Sequence, residues 1–146
     1  MLDAWAEAHS LTAYTPYRFH RWTQRPAELR QLVTSALDAL HVEHALTLAS
    51  GAQLVAPFAT DVHRPSVLIP ASIDLEAVSR MAALTPVDEG ETVTLLASRQ
   101  RWPLLFRRQV EGLWVASDVQ LYLDLWAWPQ RGKEQARHLR SERLGY

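Results

Sequence analysis

The chain contains no cysteine, one lysine (Lys133), five glycines and no apolar run near the ~18 residues that a membrane span requires. Without cysteine, disulfides, zinc–thiolate centres and thiol nucleophiles are excluded. The glycines are Gly51, Gly90, Gly112, Gly132 and Gly145. They lie too far apart to form a glycine-rich loop that cradles a phosphate. No serine stands in a G-x-S-x-G elbow, so a serine hydrolase of that type is also excluded. The opening residues MLDAWAEAH carry acids where a secretion signal carries bases. The expected compartment is therefore the cytoplasm, with no membrane contact.

What remains is the profile of one globular domain: 146 residues, 48% hydrophobic and 21% charged, with a formal net charge of −1. A domain of this length hides roughly two thirds of its unfolded surface, so an apolar core suffices without staples. The charge is unevenly spread. Residues 1–44 carry −1, residues 45–98 carry −4 and residues 99–146 carry +4. A basic C-terminal third can steer an acidic partner, but it falls well short of a nucleic-acid-binding composition.

The sequence shows no internal repeat or linker, and it reads as a single domain over 1–146. Within it, 1–25 form a short helix plus an aromatic arm (Tyr14, Tyr17, Phe19, Trp22), and 26–146 form the core. Leu29, Leu32, Val33, Ala36, Leu37 and Leu40 recur at helical spacing behind Pro26, which predicts an amphipathic helix over 26–40. Ala45 to Ala49 read as a buried strand, 50–56 as a short helix opening at Ser50, and 66–70 as a strand closed by Pro70. A helix through Leu75, Val78 and Met81 follows, then a strand over 93–97. Pro103 to Phe106 and Leu113 to Val115 read as paired strands around Glu111-Gly112. Ser117 with Gln120 fits a capping box that opens a nearly all-apolar helix over 118–126. Gly132 then relaxes a turn into a last helix over 133–144. The expected fold is α/β or α+β: a small mixed sheet flanked by helices, ending in a helical pair.

Several reaction centres fail on their residues. Nucleotidyl transfer needs two carboxylates spaced Asp-x-Asp to clamp two metal ions, whereas here Asp61-Val62-His63 follows Ser50-Gly51. A restriction-type nuclease needs a lysine two residues after a carboxylate, and Lys133 is preceded by Arg131-Gly132. His41 and His44, beside Glu43, are the only close histidine pair and lack a visible third ligand. They read as solvated side chains at a helix end. The expectation is a non-enzymatic protein with no cofactor and no metal. The alternative is a metal-dependent nuclease-like enzyme with a degenerate site drawn from Asp61, Asp88, Glu89, Glu91 or Asp124.

Two basic groups are candidate contacts for a partner or for nucleic acid. One is Arg99, Arg101, Arg107 and Arg108 around Trp102; the other is the helical row Arg137, Arg140 and Arg143. Asp124 sits inside an apolar helix. A buried carboxylate must be bonded, and the expected partner is an arginine such as Arg131, or backbone amides, locking the last two helices together.

The run Ser117-Asp118-Val119-Gln120-Leu121-Tyr122-Leu123-Asp124-Leu125, followed by Gln130-Arg131-Gly132-Lys133 and a helix bearing Ala136 and Leu139, resembles the C-terminal signature of AbiEi-type antitoxins. In that signature a Q-L-Y-x-D-L run precedes R-G. Ala45 to Phe58 with Ser66 to Pro70 also look like that family's central strand-helix-strand portion, and Leu2 to Ala6 is similar to the segment joining its two domains. The family comprises transcriptional regulators of type IV toxin-antitoxin systems. The resemblance implies a protein-interaction domain with antitoxin activity and a nucleotidyltransferase-like toxin as its partner. DNA would be bound only through a winged helix, missing or separate, because none precedes Met1. Gln120, Tyr122, Asp124, Arg131 and Gly132 would be its structural motif.

Overall fold

The computed structural model describes residues 2–58, 64–129 and 132–145. Its elements in order are α1 (Leu2–Ala8), β1 (Tyr14–His20), α2 (Leu29–Ala39), β2 (Ala45–Thr47), α3 (Leu48–Val55), β3 (Ser66–Pro70), α4 (Leu75–Met81), β4 (Thr85–Pro86), β5 (Val93–Ser98), β6 (Arg108–Val110), β7 (Leu113–Val115), α5 (Asp118–Ala127) and α6 (Gly132–Leu139). The fold is α/β. Seven strands form one open mixed sheet in the order β4-β1-β5-β3-β2-β7-β6. Pairing is parallel for β3 with β5 and for β2 with β7, and antiparallel elsewhere.

Alternation along the central strands sorts side chains to two faces. Val67, Ile69, Val93, Leu95 and Ala97 point to one, where Val33, Ala36 and Leu37 of α2 and Val78 of α4 cover them. Leu68 and Leu96 point to the other, under α1, α3, α5 and α6, where Leu121, Leu123, Leu125, Ala136 and Leu139 complete a second core. The C-terminal helical pair therefore belongs to one side of the sheet.

Most predicted elements form, with instructive shifts. The stretch read as an arm carries β1, a strand hydrogen-bonded to β5 from Tyr14–Ser98 to Phe19–Val93. Only Phe19 and His20 also face β4. Pro16 therefore lies where β1 is an edge, a position that tolerates a missing N–H. The strand expected at 103–106 is a 3₁₀ turn (Trp102–Leu104), and β6 starts later, at Arg108. The hairpin itself turns on Glu111 and Gly112, with φ of 53° and 81°, the left-handed pair that a two-residue turn demands. Helix α3 opens at Leu48 rather than Ser50, and α6 ends in a π-helical turn over Arg140–Leu144.

Candidate functional site

Helix α5 is capped as expected, since the Ser117 hydroxyl accepts from Gln120 N at 3.1 Å. The Gln120 side chain, however, does not close a capping box. It turns inward and donates to Tyr14 Oη (2.9 Å) and to Asp124 Oδ1 (2.8 Å) one turn further along. Asp124 is fully buried and serves as the hub. Its Oδ1 also accepts from Tyr14 Oη at 2.8 Å and from His9 Nε2 at 2.8 Å, and its Oδ2 accepts from Thr47 Oγ1 at 2.5 Å. An ionised carboxylate can only accept, so four side chains supply its protons.

Among the described residues, the partners of Asp124 are hydroxyl, amide and imidazole donors rather than an arginine or backbone amides. The reason is position. Tyr14 opens β1, Thr47 ends β2 and His9 follows α1, so three separate elements converge on α5. At Thr47 the backbone is extended, and Leu48 takes a φ of 53° to start α3 immediately. This tight strand-to-helix turn presents the Thr47 hydroxyl to the carboxylate. Burial pushes the Tyr14 phenol above its ordinary range, and the neighbouring Asp124 charge pushes it further in the same direction. Arg131 lies outside the described residues.

The other motif residues pack. Tyr122 is buried, and its ring stacks on Trp126 at 5.9 Å between centroids. Gly132 does more than relax a turn: a Cβ there would lie 2.1 Å from the Leu125 carbonyl oxygen and 2.7 Å from Trp128 Cβ. Only glycine allows α6 to start against the end of α5.

His9 was not singled out in the sequence, although its Trp5 neighbour stands one helical turn earlier. Its imidazole side chain is 3% exposed and meets the rings of Tyr14 and Trp102 edge-on, at 5.9 and 5.8 Å. It lines an open cleft of about 350 Å³ together with Trp5, Ala8, Ser10, Ala13 and Trp102. Leu105 and Phe106, a few residues after Trp102, are also exposed, as are Arg99 and Arg101 just before it.

The candidate arginines divide by environment. Arg107 stacks on Trp114, 3.8 Å from the ring centroid, and donates to the His44 carbonyl at 2.9 Å. Arg108 binds Asp118, and Arg101 stands 3.9 Å from Glu43. The row on α6 and its π-turn lies along α5: Arg143 reaches Asp118 (3.4 Å), Arg140 donates to Tyr122 Oη (3.3 Å), and Arg137 sits 5.5 Å over Trp126. Those cations thereby clasp successive turns of α5.

His44 is buried rather than solvated: its Nδ1 bonds the Val42 carbonyl at 2.9 Å, while Nε2 has no hydrogen-bond partner. Burial lowers its affinity for a proton, opposed in part by the Val42 carbonyl and by Asp38. Asp88 and Glu89 are exposed, Glu91 stands 3.9 Å from Arg18, and Asp61 lies outside the described residues. Among the described residues, no three His, Asp or Glu side chains converge as metal ligands, and no helix is long and apolar enough to cross a membrane. Comparisons with protein families, with curated proteins and with solved structures found no match.

Proposed function

We propose that the chain is a non-enzymatic protein-interaction domain of antitoxin type, acting within a transcriptional regulator of a toxin-antitoxin system and engaging a nucleotidyltransferase-like toxin. The observation that carries this reading is the use made of the signature residues. Gln120, Tyr122, Asp124 and Gly132 are spent on packing α5 against α1, β1, β2 and α6. A fully buried carboxylate saturated by four donors supports an architectural role over a bond-making one. The contact surface in this reading is the exposed segment Arg99, Arg101, Trp102, Leu105 and Phe106. Arginine and large aromatics are the residue types enriched in binding hot spots.

Co-expression in bacteria with a nucleotidyltransferase-like toxin encoded beside this gene tests the proposal. Growth should recover with the native chain and should fail to recover with Phe106→Asp, a substitution at a side chain that is 87% exposed. Growth arrest unchanged by the native chain would overturn it.

A further inference from the structure

The cleft beside α1 has a built floor. His9 is 3% exposed at its side chain, and Asp124, itself wholly buried, accepts a hydrogen bond from Nε2 at 2.8 Å. That bond fixes the tautomer. With Nε2–H committed to a carboxylate, the neutral ring carries its lone pair on Nδ1. No described residue occupies that nitrogen, and His9 lines the cleft. Trp102 meets the imidazole edge-on on one side, and Trp5 stands at the rim, 48% exposed. A volume of about 350 Å³ is at the small end of the range for ligand sites, which are typically apolar with a few fixed polar groups.

We propose that this cleft is a binding site for a small planar heteroaromatic molecule carrying an N–H or O–H donor, with Trp5 and Trp102 contacting its ring and His9 Nδ1 accepting its hydrogen. The Asp124 hub then acts as a positioning group for the ligand, because its bond to Nε2 leaves Nδ1 as the acceptor nitrogen of the ring. The proposal stands apart from the antitoxin reading and can hold or fail without it.

Indole and benzofuran are suitable probes, since they share an outline and differ in the N–H donor. In the ¹⁵N-labelled full chain, the His9 ring should show a protonated Nε2 and an unprotonated Nδ1. Indole should move the Nδ1 resonance and the indole N–H signals of Trp5 and Trp102, leaving distant signals in place. It should bind about tenfold more tightly than benzofuran, the worth of one hydrogen bond to a sheltered acceptor. Trp102→Ala, at a position 37% exposed, should weaken both probes at least tenfold while the urea midpoint stays within the folded range. His9→Phe, where it folds, should make the two probes equivalent. A protonated Nδ1 in the free protein, equal affinity of the native chain for the two probes, or indole binding unchanged in Trp102→Ala would each overturn the proposal.

Discussion

The two faces of the sheet are held by different physics. Against α2 and α4 the contact is apolar: Leu37, Val67, Ile69, Val78 and Leu95 are all fully buried and carry no polar atom beyond the backbone. Against α1, α3, α5 and α6 a comparable apolar layer surrounds one charged group, Asp124, bonded to four side chains from α5, β1, β2 and the end of α1. The first face needs only volume and hydrophobicity, and volume-conserving exchanges in such cores usually cost less than about 1.5 kcal/mol. The second face needs particular atoms at particular distances. It is the more demanding specification, and it adjoins the cleft.

The largest expected effect is from Asp124→Leu. It strands four buried donors, and losing one side of a buried charged network costs about 3–5 kcal/mol. Asp124→Asn keeps the shape and one acceptor oxygen, so it should cost about half as much, with both read from urea denaturation midpoints. On the opposite face Leu95→Ala should cost about 3 kcal/mol from lost burial and the residual cavity, while Leu95→Met should be nearly silent. If Asp124→Leu proved as mild as Leu95→Met, the contrast between the faces would collapse.

Tyr14→Phe removes one donor to Asp124 and the acceptor for Gln120 while leaving the ring in place. The expected loss is about 1–2 kcal/mol, measured in the same way. The smallest effect is a pH dependence. The His44 imidazole is held below its ordinary value near 6.5 by burial, so below that pH the unfolded chain binds a proton that the folded chain refuses. Stability present above about pH 6.5 should decline as the pH falls from there toward the lowered folded value. His44→Phe should flatten that part of the urea-midpoint profile between pH 7 and 5. An unchanged slope would show that His44 is not its source.

Much of the architecture is legible because it is local. The spacing Leu29, Val33, Ala36 and Leu37 marks α2, Ser66 to Pro70 marks β3, Glu111-Gly112 marks a hairpin, and Ser117 marks the start of α5. What escaped is set by distance along the chain. The partners of Asp124 are 115, 110 and 77 residues away at His9, Tyr14 and Thr47. Only Gln120, four residues earlier on the same helical face, stood within local reach. The aromatic stretch 14–20 read as an arm because it is aromatic and turn-rich and Pro16 interrupts it. Its strand character comes from β5, which supplies the pairing. The arginine row looked outward for a similar reason: what it rests on, α5, is fixed by the α5–α6 corner at Gly132.

The bond between His9 and Asp124 also sets an order of events during synthesis. Helix α1 and His9 are made before α5, and the buried acceptor of His9 follows 115 residues later. At translation speeds of about 5–20 residues per second, α1 waits on the order of ten seconds for α5 with Leu2, buried in the finished fold, still uncovered.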